Sequence, residues 1–298
     1  MKYELFGKEI NIKDNYCSLD GCKGRKIDEP YVNMYVVLTN TCNANCAFCC
    51  NPTKVDKAHF DFYKFYYILH EIRLTYGLKI NKLSFTGGEP TLSGMLEHCV
   101  RAVKNLDEDI FTVVNTNGSK LETLIPISQY FDSIAISRHY HNDDANRSIF
   151  NCHNHIATEE EIKTLPYKNK VHLSCNLQKG YMDNIMSVKT YLEHAAAMGI
   201  DDVGFVSLMP VNDYCKENFV DFKDIEFDAI DNLFISKEWN NKDSCRCRNY
   251  LYLPSNTKAE VDVVKVYTRY YVDPSYCSGT LVFDGQNLRM GFNGEIII

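Results

Sequence analysis

Three cysteines stand within eight residues, Cys42-Asn43-Ala44-Asn45-Cys46-Ala47-Phe48-Cys49, with three and then two residues between them. That spacing suits an iron–sulfur cube in which three of four irons are held by thiolates. Electron-transfer clusters use four cysteines. The nearest fourth candidate, Cys50, directly follows Cys49, and adjacent side chains point apart, so it is poorly placed to close the same cube. A cube with one open iron can bind a substrate or cofactor, as a catalytic metal keeps an open position. Two blander readings stand beside this one: part of a zinc knuckle with a distant fourth ligand, or reduced, inert thiols.

Downstream, Leu83-Ser84-Phe85-Thr86-Gly87-Gly88-Glu89-Pro90 runs an apolar stretch into two glycines, an acid and a proline. Two missing Cβ atoms let the backbone approach something closely. Glu89 offers an anionic acceptor for an ammonium group, and Pro90 fixes φ and ends the strand. Phe111-Thr112-Val113-Val114-Asn115-Thr116-Asn117-Gly118 repeats the strand-then-turn pattern. Any tight turn could use a lone Gly-Gly-Glu-Pro; the order and distances of the whole set carry the weight.

The set resembles the radical S-adenosylmethionine (SAM) superfamily over about residues 33 to 211. Cys42, Cys46 and Cys49 match its cysteine motif, including the aromatic Phe48 before the last cysteine. Gly87, Gly88, Glu89 and Pro90 match the stretch that takes the methionine amino group, and Asn117 belongs to the next turn. Ser137, after Ile134-Ala135-Ile136, resembles the residue near the SAM ribose or carboxylate. Asn176 in the fifth strand resembles a SAM contact, and Leu208 in the sixth a flank for adenine. The resemblance implies a 4Fe–4S cluster with an open iron, and SAM. It further implies a reductant such as flavodoxin or ferredoxin. The branch most alike contains the molybdenum-cofactor cyclase and peptide maturases.

The elements that must position these residues alternate. Strand candidates are 33–39, 80–86, 110–115, 132–137, 169–177 and 202–208, each rich in Val, Ile, Leu or Phe. Helical spacing runs over 57–76 and over 183–198, the latter stopping at Gly199. Six strand–helix units imply a parallel sheet, and are too few for a closed eight-stranded barrel. The expected fold is α/β: a partial (β/α)6 barrel over 33–211, with an N-terminal extension over 1–32 and a small C-terminal antiparallel β cap over 212–298. The motifs follow strands, where α/β folds place their ligands.

Within 212–298, Val261–Tyr271 alternates, and Leu281–Met290 reads as a hairpin turning at Asp284-Gly285. This cap with cysteines around it resembles the auxiliary-cluster domain of the same branch, which implies a second 4Fe–4S cluster on Cys245, Cys247 and Cys277, with Cys215 as fourth ligand. Zinc and buried, unligated thiols are the alternatives. Cys17 and Cys22 could join this cluster, hold a site of their own or stay unligated. The Cys-x-Cys spacing and the final Glu295-Ile296-Ile297-Ile298, without a terminal Gly-Gly, both depart from the molybdenum-cofactor cyclase pattern.

With 298 residues, 45% hydrophobic and 24% charged, the composition is that of a globular chain. A net charge of −7 disfavours a broad nucleic-acid surface. No apolar run approaches the ~18 residues of a membrane span. The start lacks a signal-peptide core, and thirteen cysteines then favour metal or redox chemistry in a cytoplasmic, oxygen-sensitive protein. His139, Tyr140 and His141 follow the fourth strand and are candidates to move a substrate proton or stack on substrate. His153 and His155 form a His-x-His that suits either a metal or a surface loop. The substrate is either a peptide or a small metabolite. Only about 30 residues precede the first strand, too few for a separate peptide-recognition domain, since domains are rarely smaller than ~50 residues. A non-catalytic iron–sulfur or zinc protein is the reading from outside enzymology.

Overall fold

The computed structural model describes residues 2–11, 31–50, 59–152, 155–237, 247–269, 280–292 and 294–298. A hairpin of β1 (Lys2–Leu5) and β2 (Lys8–Asn11) pairs only with itself among the described residues. The sheet that matters begins with β3 (Tyr31–Val37), β4 (Lys79–Thr86), β5 (Phe111–Thr116), β6 (Ser133–Ser137), β7 (Val171–Leu177) and β8 (Asp202–Ser207). Each of these pairs in parallel with the next, so the six expected strands are present, with ends shifted by one or two residues. Four further strands come from the C-terminal region besides β9 (Leu233–Lys237): β10 (Arg248–Tyr252), β11 (Val264–Arg269), β12 (Thr280–Phe283) and β13 (Leu288–Met290).

Those C-terminal strands include the antiparallel pairs expected, β9 with β10, β10 with β11 and β12 with β13. They do not form a separate layer. β11 adds in parallel to β8, and β12 adds in parallel to β3. The order β13-β12-β3-β4-β5-β6-β7-β8-β11-β10-β9 is one eleven-stranded sheet, open between its two edges among the described residues. Alternation in the sequence shows a strand with one buried face, and does not show which neighbour it will pair with.

Helices lie between the strands: α1 (Phe62–His70), α2 (Leu96–Leu106), α3 (Asp143–Phe150), α4 (Glu159–Lys163), α5 (Ile185–Ala197), α6 (Asp213–Glu217) and α7 (Phe222–Ile225). Asp61 caps α1 by accepting from the Lys64 amide at 2.9 Å, which sets its start five residues later than the periodicity suggests. The helix then continues through a π-helical turn over Glu71–Thr75. Asn184 and Ser187 form a capping box on α5, and Gly199 at φ +76 stops it as expected. Val188, Leu192 and Ala195 of α5 are fully buried in the same core as Leu173, Cys175 and Leu177 of β7. Burying each Val or Leu contributes about 1.5–3 kcal/mol.

The other face of the sheet is different. Along β7, His172, Ser174 and Asn176 are partly exposed while their neighbours are closed. In register beside them lie Ala135 and Ser137 of β6, Gly204 of β8 and Tyr267 of β11. This face carries polar, partly exposed side chains on β7 with Ala135, Gly204 and Tyr267 buried beside them, where a doubly covered parallel sheet would be apolar on both sides. Polar side chains thus stand on this face of the strands that carry the motifs.

Candidate active site

The three cysteines share the loop that leaves the C-terminal end of β3. Cys42, Cys46 and Cys49 are each partly exposed, and no disulfide joins them. Among the described residues no three His, Cys, Asp or Glu side chains converge closely enough to hold a single metal ion. Three thiols presented on one loop are donors of the kind an iron–sulfur cluster takes. The Ala44 amide donates to Cys42 Sγ at 3.4 Å, the kind of N–H donor that thiolate sulfur accepts.

Four segments brace this loop. The Asn45 amide donates to the carbonyl of Phe150 at the end of α3 (3.0 Å), and Cys152 Sγ contacts the Asn43 carbonyl at 3.0 Å. From the start of α6, Asn212 Nδ2 donates to the Ala47 carbonyl at 2.9 Å, and the Cys215 thiol to that of Phe48 at 3.6 Å. Asn212 also caps α6, accepting from the Cys215 amide at 2.8 Å, so one residue ends one element and ties down another. The third brace is the glycine pair. The Gly88 amide donates to the Thr39 carbonyl at 2.6 Å and the Glu89 amide to that of Thr41 at 2.8 Å. A Cβ on Gly87 would sit 2.2 Å from the Thr39 oxygen, and one on Gly88 would sit 2.2 Å from the Thr41 oxygen. Gly87 also holds φ +141, a conformation that side chains disfavour. What these glycines approach closely is the cysteine loop itself.

The fourth brace comes through Glu89, which is 1% exposed. Its Oε1 accepts from the Thr91 amide (3.1 Å), the Thr91 hydroxyl (2.7 Å) and the Thr116 hydroxyl (2.7 Å). Its Oε2 accepts from the Asn117 amide at 2.7 Å. Burial pushes the carboxyl pKa up, and these donors oppose that. The carboxylate therefore joins the ends of β4 and β5. Asn117 continues the link, its Nδ2 donating to Asn43 Oδ1 at 2.8 Å. Pro90 does not end β4, which stops at Thr86 before Gly87 turns the chain; Pro90 opens a short 3-10 helix over Pro90–Leu92, for which Glu89 is the cap.

His139 lies 3% exposed between the rings of Phe48 and Phe150, each with its centroid 4.9 Å away. Its Nδ1 accepts from the Asn176 amide at 3.0 Å, which leaves the proton on Nε2. Burial lowers its pKa to about 3, so the ring is neutral near pH 7. It packs the cysteine loop against β7. Tyr140 meets the His141 ring at a tilt and the Tyr181 ring edge-on. His141 turns toward His194, ring centroids 5.0 Å apart, beside a polar cleft lined by Asp143, Glu159 and Arg147. Burial first, then His194 and Arg138, lower the pKa of His141. Arg138, 1% exposed, pairs with Asp143 at 2.7 Å and Glu159 at 3.4 Å. Ser137 ends β6 on the polar face, Asn176 lies on the same face of β7, and Leu208 is buried just past β8.

The C-terminal cysteines divide. Cys215 is buried against the Phe48 carbonyl, within the surroundings of the first cysteine loop. Cys247 is buried at 5% exposure just before β10. Cys245, Cys277, Cys17, Cys22 and His153 lie outside the described residues. His155 makes an exposed pair with Glu161 at 2.9 Å. Cys175 is a core residue, as expected of a strand cysteine. Sequence reasoning missed Cys152 and Asn212 as braces. Asn212 carried a faint signal, a cap residue three positions before Cys215; Cys152 carried none.

Comparison with known proteins places this geometry. The profile of the Radical SAM superfamily matches residues 36–211. A probable GTP 3′,8-cyclase of Saccharolobus solfataricus is 24% identical over 276 residues, covering 91% of this chain and 83% of that protein. One from Pyrococcus abyssi is 30% identical over 99 residues, 33% of this chain and 31% of that protein. Streptococcus suis SuiB, solved bound to the precursor peptide SuiA, superposes with a TM-score of 0.51 at 17% identity. That match covers 63% of this chain and 42% of SuiB, so the likeness is one of fold. The three-cysteine loop braced by a glycine pair, on a mostly parallel open sheet, agrees with the profile match over more than half of the chain: this protein belongs to the radical SAM superfamily and is an enzyme.

Proposed function

We propose that Cys42, Cys46 and Cys49 hold a 4Fe–4S cluster with an open iron, and that the enzyme acts on a polar small molecule bound over the polar face of the sheet. Superfamily membership implies the cluster and SAM. When bound, they supply reductive cleavage of the sulfonium to methionine and a 5′-deoxyadenosyl radical able to take hydrogen from substrate. The observation that carries the reading is the crossing of two motifs: Gly87 and Gly88 lie on the cysteine loop so closely that no side chain would fit.

The chain's own residues then divide the work. Gly87, Gly88 and the hydrogen-bonded Glu89 fix the loop that presents the thiols. Ser137 and Asn176 offer polar side chains on that face, and Leu208 and Phe48 supply apolar surface that excludes water. Neutral His139 keeps Phe48 in place. Tyr140 and His141 stand beyond β6 as candidates to meet substrate.

Two findings support a small polar substrate. The polar face carries His172, Ser174 and Asn176 on β7 alone. The relatives alike over 91% of the chain are named as acting on a nucleotide. A peptide is the second reading, since SuiB was solved with a precursor peptide. Electrons would come from a flavodoxin- or ferredoxin-type donor. Among the described residues no helix is long and apolar enough to cross a membrane; thirteen cysteines favour metal or redox chemistry over disulfides, and on that ground we place the enzyme in the cytoplasm.

The test is iron and sulfide per chain after anaerobic reconstitution, in the parent and in a Cys42/Cys46/Cys49→Ala variant. About eight irons falling to four would support two cubes, and about four falling to none a single catalytic one. Iron that does not fall would refute the assignment. Deoxyadenosine formation is then followed with nucleoside triphosphates and with short peptides; stimulation by peptides alone would sink the small-molecule reading.

A further inference from the structure

Asn117 is placed to do more than close a turn. Its side chain is 8% exposed, at the end of β5 and against the cysteine loop. Oδ1 accepts from the Ser119 amide at 2.9 Å, which fixes which end of the amide is which. Nδ2 therefore points at the loop, 2.8 Å from Asn43 Oδ1 and 3.9 Å from Cys42 Sγ. The backbone amide is held by Glu89 at 2.7 Å, and Glu89 is held in turn by Thr91 and Thr116. The donor is buried, oriented and tethered on both sides. Cys42 Sγ has a second N–H neighbour, the Ala44 amide at 3.4 Å.

A hydrogen bond to a cluster's cysteine sulfur draws electron density off that sulfur. It stabilises the reduced, more negative state, and is one of the levers that set cluster potential. In a buried site of low effective dielectric the effect is larger than in water. We propose that Asn117 is a positioning and tuning residue: its side-chain amide donates to Cys42 and raises the reduction potential of the cluster that Cys42, Cys46 and Cys49 hold. This rests on the cluster assignment above and adds to it a control on how readily the cluster is reduced.

The experiment compares the parent with Asn117→Asp and Asn117→Ala, each reconstituted anaerobically, without SAM and without substrate. Asn117→Asp keeps the shape, removes the N–H donor and brings in a negative charge. Asn117→Ala removes the donor without adding charge, and with it the acceptor of the Ser119 amide. Iron per chain and circular dichroism establish loading and fold. The midpoint potential is read by redox titration with electron paramagnetic resonance, and the Fe–S(Cys) stretch by resonance Raman. The expected result is parent-level iron, a midpoint lowered in Asn117→Ala and lowered further in Asn117→Asp, and an upward shift of the Fe–S(Cys) stretch in both. Unchanged midpoints at full loading overturn the proposal. So does loss of the cluster from both folded variants, which would make Asn117 an assembly residue only. Failure of the parent to bind iron refutes the cluster assignment instead, so the two failures are distinguishable.

Discussion

Gly88→Ala is the sharpest test of how the two motifs depend on each other. The new Cβ would stand 2.2 Å from the Thr41 carbonyl oxygen, where ordinary contact begins at 3.4 Å. One backbone or the other must retreat by about 1.2 Å. That retreat breaks or stretches two bonds, Gly88 to Thr39 at 2.6 Å and Glu89 to Thr41 at 2.8 Å. Each is worth about 1 kcal/mol, and overpacking adds about 1–3 kcal/mol, so a loss of roughly 3–5 kcal/mol is expected. In a chain of this size that lowers Tm by about 5–8 °C. The cysteine loop moves with the carbonyl, and about 1 Å of misplacement is enough to cost about a hundredfold in rate. Thermal unfolding, iron per chain and SAM cleavage measure all three effects. Gly94→Ala is the matched control, since no atom lies within 4 Å of its added Cβ and its φ is ordinary. If Gly88→Ala keeps the parent Tm and iron content, the crossing does not constrain the loop and the reasoning fails.

Cys42→Ala is expected to abolish deoxyadenosine formation; formation at the parent rate would remove Cys42 from the cluster. Cys247→Ala is expected to lower iron by about four per chain while sparing uncoupled SAM cleavage, and unchanged iron would take it out of the second ligand set. Stability should also fall in acid through His139. Its pKa is about 3 in the folded protein against 6.5 unfolded, so only the unfolded chain takes up the proton between those values. Its contribution is whole above pH 6.5 and is lost as pH drops toward 3, at up to about 1.4 kcal/mol per pH unit. Denaturant unfolding from pH 6.5 down to about 5 should show about 2 kcal/mol of loss in the parent and little in His139→Gln; equal slopes in the two would disprove it.

The strands of the central sheet were legible because each is a short Val/Ile/Leu run ended by turn residues, and β3 to β8 lie within one or two residues of those runs. The hairpin at Asp284-Gly285 was legible for the same reason, with Gly285 at φ +98. The start of α1 was not: its apolar period extends beyond the point where Asp61 captures the Lys64 amide, and a cap outranks a period locally. Pro90 looked like a strand end, but Gly87 turns the chain first. Cys152 and Cys215 carried no local sign of bracing the loop, since their partners, the carbonyls of Asn43 and Phe48, are 109 and 167 residues away.

The sequence by itself determined the superfamily, because the types and spacing of Cys42, Cys46 and Cys49 and of Gly87 to Pro90 are local facts that no fold can change. It also determined the alternation of strand and helix, which follows from hydrophobic period. Only the tertiary structure decided what the glycines approach, what neutral His139 packs against, and which strands border β3 and β8. Those are contacts between segments distant along the chain, set by the register and packing of the whole sheet, and no window of residues contains them.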